Sequence, residues 1–183
     1  MRFTLPPPGV EALLLAVVLG AAVYDVRYRR IPNWLSVAGV LLGFALNGFL
    51  WGWPGFRLSL IGFAIAFCVY LTLYALRAMG AGDVKLMAAV GAIVGGPDWF
   101  GIFIVTAIIG GIMALILVAV RKRVKSTFWN VGFIINEMKS GRPAYVGKEE
   151  LDVHHPKALG LPHGAVIAVG TLFYLALAAH YVG

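Results

Sequence analysis

The sequence predicts an all-α polytopic membrane protein with six transmembrane helices. Of its 183 residues, 61% are hydrophobic and 13% are charged, whereas soluble domains average about 45–50% apolar and about 25% charged residues. Several apolar runs approach or exceed the ~20 residues that a helix needs to cross a bilayer. We therefore expect residues 1–183 to form a single domain surrounded by membrane lipid, and the composition excludes a soluble globular fold.

Six apolar runs lie between charged or Pro/Gly-rich breaks. The third, fifth and sixth are long enough to cross a bilayer, the second is nearly so, and the first is short. The fourth has a length at which a re-entrant or protein-buried helix competes with a transmembrane span, and we count it as a span because the charge distribution fits six crossings. The runs are Val10–Tyr24, Trp34–Leu50, Leu58–Leu76, Leu86–Gly96, Trp99–Val120 and Leu159–Val182.

The first run shares some features with a secretory signal peptide, because Arg2 precedes it and small residues lie near its end. A secretory signal carries its positive charge before the apolar stretch and a small-residue cleavage site after it. Here three arginines follow the run closely, at Arg27, Arg29 and Arg30. We therefore expect the first helix to be retained.

The distribution of lysine and arginine predicts the orientation in the membrane. The N-terminal segment and the second connection carry two of these residues, whereas the first, third and fifth connections together carry thirteen. Because cytoplasmic connections collect positive charge, we expect the N-terminus outside and these three connections in the cytoplasm. The net charge of +7 is explained by this arrangement, so it predicts no nucleic-acid partner.

The long fifth connection, residues 121–158, is expected to form a cytoplasmic insertion between the fifth and sixth helices. Ser126 is a candidate cap at its start, and Gly141 and Pro143 would end a helix. Between them, four apolar residues recur at helical spacing, at Phe128, Val131, Ile135 and Met138. This pattern indicates an amphipathic helix that either lies on the cytoplasmic membrane face or packs on the helix bundle.

The sequence predicts neither a metal nor an organic cofactor. A single cysteine, Cys68, excludes an internal disulfide and a cysteine-based zinc site. His154 and His155 are adjacent, so they point to different sides of most backbones, and no carboxylate lies at ligand spacing on an evident helix. We interpret this histidine pair as part of a solvated loop.

Two of the eight acidic residues, Asp25 and Asp83, lie at the expected cytoplasmic ends of helices. Asp25 directly follows the first apolar run. Asp83 lies between the third and fourth runs, in the string Gly80-Ala81-Gly82-Asp83-Val84-Lys85-Leu86. Two crossings return the chain to its starting face, so these carboxylates share a membrane depth even if the fourth run is not a span.

A shared pair of carboxylates is suited to peptide-bond hydrolysis. Two such groups cannot both ionise cheaply, so one pKa rises and the pair tends to hold one proton. One carboxylate can then accept a proton from water while the other donates a proton to the carbonyl or leaving group. The glycines beside Asp83 would let an extended substrate backbone approach closely.

Each aspartate also has a structural interpretation. Asp83 is a candidate N-cap of the fourth helix, and Asp25 is a candidate ion-pair partner of Arg27 or Arg29. Asp98 is expected in a short turn on the outside. As a different class of function, the acids would form a proton relay in a small proton-coupled transporter, or bind a cationic partner in a membrane scaffold. The few polar residues of the second and third runs disfavour transport, namely Asn47, Ser59 and Thr72.

Three strings resemble the motifs of one family, the bacterial type IV prepilin peptidases. The string from Gly80 to Leu86 resembles the G-x-G-D-x-K-L signature of that family. Asp25, with Arg27, Ile31, Pro32 and Asn33, resembles its first aspartate motif. Leu161-Pro162-His163-Gly164-Ala165 is similar to the P-x-G motif that opens the last span of the family, with a histidine where an aromatic residue is expected.

The resemblance implies a GxGD aspartic endopeptidase with Asp25 and Asp83 as the catalytic pair. Supporting or substrate-binding roles would fall to Gly80, Gly82, Lys85, Pro32 and Asn33. The substrate would be a prepilin, cleaved at the cytoplasmic face of the bacterial inner membrane between a short basic leader and an apolar helix. Bifunctional relatives carry a paired-cysteine motif and also methylate the new N-terminus. With one cysteine, this chain resembles the compact, protease-only form of tight-adherence pilus systems.

Overall fold

The computed structural model describes residues 6–76, 79–121, 129 and 162–182. All of the regular secondary structure in this part of the chain is helical, so the predicted all-α class is confirmed. The helices are α1 (Pro8–Tyr28), α2 (Asn33–Ala75), α3 (Ala81–Val94), α4 (Gly96–Val120) and α5 (His163–Val182). Helix α5 packs on α1 and α4, and α3 packs mainly on α2.

Helix α1 continues beyond the predicted end at Tyr24. It ends at Arg29, which has a left-handed φ of 54° and donates its N–H to the carbonyl oxygen of Asp25 over 2.9 Å. Asp25 follows the apolar run but lies within the helix, near its C-terminal end. Polar residues do not break a helix by themselves, and Arg27 in the last turn complements the negative end of the helix dipole.

Helix α2 is a hairpin of two arms, residues 33–51 and 53–75, which correspond to the second and third apolar runs. The reversal occurs at Gly52, whose φ of 62° and ψ of −145° are outside the helical region. The rings of Phe44 and Phe63 lie 5.7 Å apart, although nineteen residues of straight helix would separate them by about 28 Å. The two arms are therefore antiparallel neighbours.

Polar side chains of the hairpin bind the carbonyl end of α3. The Asn47 side-chain amide donates to the carbonyl oxygens of Ala92 and Ile93, over 3.2 and 2.9 Å. The Ser59 hydroxyl donates to the Ala92 carbonyl oxygen as well. The last four carbonyl groups of a helix have no partner within the helix. Asn47 and Ser59 thus supply hydrogen bonds that this buried helix end lacks.

Helix α3, which contains most of the fourth apolar run, is enclosed by protein. Its 14 residues extend about 21 Å at the usual helical rise, and every residue from Leu86 to Val94 is buried. The four other helices are long and apolar enough to cross a membrane. The described helices thus support a membrane protein, while the arrangement with six membrane crossings remains a prediction.

The position of Asp98 differs from the prediction. Asp98, expected in a turn, lies in the first turn of α4 and accepts a hydrogen bond from the Tyr174 hydroxyl over 2.8 Å. The turn is shorter than predicted because α4 begins at Gly96, directly after α3.

The proposed amphipathic helix and the rest of residues 122–158 lie outside the described residues, apart from the exposed Trp129.

The second arm of α2 and α3 approach each other closely at Gly62 and Gly91. A Cβ at Gly62 would lie 2.2 Å from the Gly91 carbonyl oxygen and 2.7 Å from the Gly95 backbone. Such distances are well inside van der Waals contact, so the two helices would have to separate. Small residues at a helix interface allow this kind of backbone contact in membranes.

We expect Gly62→Ala to destabilise the protein by about 1–3 kcal/mol, because the added methyl group would collide with backbone atoms. Gly111→Ala in α4 is the matched control, since a Cβ at that position would have no neighbour within 4 Å. Thermal unfolding of the detergent-solubilised variants measures the difference. Equal midpoints for the two variants would contradict the close approach.

Candidate active site

A cleft opens at the end of the bundle where α1 ends and where α2, α3 and α5 begin. Its volume is about 830 Å³. All seven site residues predicted from the sequence line it. The full lining is Asp25, Arg29, Arg30, Ile31, Pro32, Asn33, Gly80, Ala81, Gly82, Asp83, Lys85 and His163.

Asp25 is held by the N-terminus of α5. The residue is 7% exposed, and its carboxylate accepts a hydrogen bond from the Gly164 N–H over 2.7 Å. Gly164 lies in the first turn of α5, where backbone N–H groups have no partner within the helix and the helix dipole is positive. This arrangement stabilises a buried negative charge on Asp25.

Asp83 lies in the first turn of α3 and is also 7% exposed. Its carboxylate accepts a hydrogen bond from the Gly80 N–H over 3.1 Å, and its own N–H donates to the Gly80 carbonyl oxygen over 3.1 Å. The helix begins at Ala81, with Gly80 as its N-cap. The prediction of Asp83 as the N-cap was therefore wrong by three residues, because the glycines form the helix start instead of a separate turn.

Burial is the main influence on the ionisation of Asp83, which lies outside the four candidate spans. Loss of solvent raises the pKa of Asp83 above its ordinary value. The positive charge of His163 and the hydrogen bond from Gly80 lower it, and the negative charge of Asp25 raises it further. Together these effects raise the pKa of Asp83, so its carboxyl group retains a proton to higher pH than the carboxyl group of an exposed aspartate does.

The predicted supporting residues connect the two aspartate segments. The Lys85 ammonium group donates a hydrogen bond to the Asn33 side-chain oxygen over 2.8 Å. Gly82 lies against Ile31, and a Cβ at position 82 would be 3.3 Å from the Ile31 Cβ. The segment after α1 and the start of α3 are therefore in direct contact, which brings Asp25 and Asp83 into one cleft.

One of the comparisons with known proteins gives a family for this chain. A family model described as the type IV leader peptidase family matches residues 12–115, which is more than half of the chain. The chain belongs to the type IV leader peptidase family. Comparisons with curated proteins and with solved structures give no match. Family membership implies that this leader peptidase relative is a membrane protease.

The matched region contains both aspartates but not α5, which supplies two further residues of the site. His163 lines the cleft and Gly164 binds Asp25. Neither residue was predicted to have a role, although both lie in the string from Leu161 to Ala165 that resembles the P-x-G motif. The signal was present in that P-x-G string, but its contact with Asp25 depends on how α5 packs against α1.

The cleft contains no recognisable metal centre in the parts that the structure describes. Within those ranges, no three His, Cys, Asp or Glu side chains come close enough to hold a metal ion. The chemical resources of the site include two buried carboxyl groups, a histidine, a lysine and two arginines, together with the Asn33 amide and backbone N–H groups. These groups can bind a peptide, polarise it and move protons.

We expect Asp83→Asn to raise the thermal midpoint of the detergent-solubilised protein at about pH 8. The pKa of Asp83 is higher in the folded protein than in the unfolded protein. The contribution of Asp83 to the stability of the folded state is therefore complete below its unfolded pKa and is lost as the pH rises through its folded pKa. An amide carries no charge, and it keeps an oxygen for the Gly80 N–H. The advantage of Asp83→Asn should therefore shrink between about pH 8 and about pH 5. A midpoint difference that is independent of pH would contradict this electrostatic account.

Proposed function

We propose that the chain is an aspartic endopeptidase that removes the basic leader of type IV prepilins. Asp25 and Asp83 activate the water that attacks the peptide bond at the cytoplasmic face of the bacterial inner membrane. The proposal is carried by one observation: two buried aspartates from different helices line one cleft, and each accepts a backbone N–H. Membership in the type IV leader peptidase family supports the same reaction.

The two carboxyl groups have different environments, which suggests different roles. Asp83 has a raised pKa and serves as the acid, while Asp25, held by the N-terminus of α5, serves as the base. Asp25 accepts a proton from water as the water oxygen bonds to the carbonyl carbon, and Asp83 donates its proton to the carbonyl oxygen. The resulting gem-diol then collapses. Asp25 passes its proton to the leaving nitrogen, and the hydroxyl proton returns to Asp83 as the C–N bond breaks.

The positions of the helices support the proposed six-crossing arrangement. Lys85 near the start of α3 bonds to Asn33, and Ala92 near its end is bonded by Asn47. Helix α3 therefore runs beside the first arm of α2 and in the same direction. It connects the two ends of the bundle although it is short, and the positive-inside pattern supports a cleft that opens to the cytoplasm.

The described contacts weigh against a transporter. Asn47 and Ser59 are occupied in binding the end of α3, and the Thr72 hydroxyl donates to the Cys68 carbonyl oxygen. A transport path needs polar groups that are available to a passing ion. These three side chains of the hairpin are used in structural hydrogen bonds, so we favour hydrolysis.

We expect Asp25→Asn and Asp83→Asn each to reduce leader removal by about 10²–10⁴-fold, the usual contribution of a general acid or base. The assay is the gel mobility of a co-expressed type IV prepilin. Asp98→Asn is the matched control, because Asp98 lies outside the cleft lining and an amide oxygen can still accept from Tyr174. Undiminished cleavage by either cleft variant would exclude the two-aspartate mechanism.

We expect His163→Gln to shift the alkaline limb of the kcat/KM profile to higher pH. The charge of His163 lowers the pKa of Asp83, so its removal raises that pKa and the acid keeps its proton longer. The measurement is cleavage of a prepilin peptide across the pH range by purified variants. A limb that stays in place or moves to lower pH would rule out this role of His163.

A further inference from the structure

The accessible surface of the cleft carries three positive side chains that the proposed chemistry does not use. Arg29, Arg30 and Lys85 line the cleft and are exposed, whereas Asp25 and Asp83 are each only 7% exposed. The two acids are also occupied by hydrogen bonds from backbone N–H groups. A molecule that enters the cleft therefore meets mainly positive charge.

These cations come from two segments that are in direct contact. Arg29 and Arg30 belong to the segment that follows α1, and Lys85 belongs to the start of α3. The Lys85 ammonium group joins the two segments through its hydrogen bond to the Asn33 side-chain oxygen, over 2.8 Å. We call Arg29, Arg30 and Lys85 together the basic surface.

The backbone at Arg29 has a conformation that usually favours glycine. Arg29 follows the end of α1 with a φ of 54°, and no other non-glycine residue of the described ranges has a positive φ. Left-handed backbone at the end of a helix is most often glycine, which has no Cβ. The turn at this residue directs the chain away from the axis of α1, and Arg30 then lines the cleft. Unfavourable backbone conformations are concentrated at functional sites.

Arg30 and Lys85 have no acidic partner among the described residues. The Lys85 ammonium group has three N–H donors, and its bond to Asn33 goes to a neutral amide oxygen. The guanidinium group of Arg30 has five N–H donors in a planar arrangement that matches a carboxylate. These two side chains can therefore bind an anion that enters or forms in the cleft.

The proposed reaction itself produces an anion in this cleft. Hydrolysis forms a C–O bond and breaks the C–N bond, so a neutral amide becomes a carboxyl group on the leader and an amino group on the remaining chain. An α-carboxyl group has a pKa of about 3.5, so it releases its proton at neutral pH. The new carboxylate then lies beside Asp25 and Asp83, where negative charge repels it. A nearby cation would offset this repulsion.

The charge of the leader limits which of its groups can use the basic surface. The proposed leader is rich in lysine or arginine, and like charges placed against each other are unfavourable. The basic surface is therefore unsuited to the basic side chains of the leader. It is suited to the one negative group that the leader acquires, at the carbon atom where the peptide bond was broken.

We propose that Arg30 and Lys85 bind the new C-terminal carboxylate of the cleaved leader. Arginine can hold a carboxylate through two parallel N–H bonds, and lysine adds a second positive charge. The released leader is then a competitive inhibitor, because it occupies the cleft that the next substrate must enter. This inference rests on the proposed function, since that reaction supplies the carboxylate.

Inhibition by three synthetic leader peptides tests this carboxylate site. The full chain is purified in a neutral detergent, and the reaction followed is cleavage of a type IV prepilin from the same genome. The first peptide is the leader with a free C-terminal carboxylate at the cleavage position. The second has a C-terminal amide instead. The third is this amide with one glutamate added at its N-terminal end, so it has the net charge of the first peptide.

We expect the free acid to have a Ki about tenfold lower than the Ki of either amide, the factor that a charge-assisted hydrogen bond supplies. Equal Ki values for the acid and the plain amide would overturn the proposal. If the amide with the added glutamate inhibits as strongly as the acid, the cleft attracts negative charge without a site for the C-terminus, and the proposal is again overturned.

Charge-removing variants locate the site. Arg30→Gln and Lys85→Gln should each reduce the tenfold ratio between amide and acid to about threefold or less. Arg27→Gln is the matched control, because it removes the same charge from the same exposed segment. The Arg27 guanidinium lies over the Tyr28 ring, 5.7 Å from its centroid, and Arg27 does not line the cleft. The control should keep the full ratio. Equal effects of Arg27→Gln and Arg30→Gln, or an unchanged ratio in Arg30→Gln or Lys85→Gln, would contradict the proposed site.

Binding of fluorescently labelled acid and amide peptides, measured by anisotropy, separates this inference from the proposed function. A wild-type chain that cleaves no prepilin would disprove the proposed function. The two Kd values would still decide the present inference: a lower Kd for the acid that depends on Arg30 supports a peptide carboxylate site, and equal Kd values would overturn it.

Discussion

The structure depends on one constraint, which is that the carbonyl end of α3 must find hydrogen-bond partners inside an apolar bundle. Asn47 and Ser59, from opposite arms of the α2 hairpin, supply those partners. An unsatisfied backbone carbonyl in a water-free interior costs several kcal/mol. The bonds therefore fix the depth of α3 against the hairpin. The close contact of Gly62 and Gly91 fixes its distance, and together they determine where Asp83 lies.

The burial of two acidic residues in one cleft is made possible by helix N-termini. Asp83 lies in the first turn of α3, and Asp25 faces the first turn of α5. Free N–H groups and the positive end of the helix dipole stabilise negative charge at such positions. The two sites are not equivalent, because burial raises the pKa of Asp83 above its ordinary value although the charge of His163 opposes this shift. The proposed mechanism uses this difference, with Asp83 as the acid and Asp25 as the base.

Much of the fold follows from simple patterns in the sequence. The apolar runs predict the helices, and an even number of crossings predicts that Asp25 and Asp83 lie at the same end. Other features require three-dimensional contacts. The extension of α1 through Asp25 could not be read from hydropathy, because a helix end in a protein is decided by its capping bonds and neighbours. The Gly80 N-cap was missed for the same reason. The role of Gly164 was missed because the packing of α5 against α1 leaves no periodic signal.

The account is tested most directly by the contact between the two aspartate segments. Because a Cβ at position 82 would lie 3.3 Å from the Ile31 Cβ, close to the roughly 3.8 Å typical of disulfides, a cysteine pair at these positions should cross-link. In a Cys68→Ser background, Ile31→Cys with Gly82→Cys should become resistant to maleimide labelling after mild oxidation, and reduction should restore labelling. Ile31→Cys with Gly111→Cys, in a distant part of α4, should stay reactive. If the first pair remains as reactive as this control after oxidation, the two segments do not meet and the shared active site is disproved.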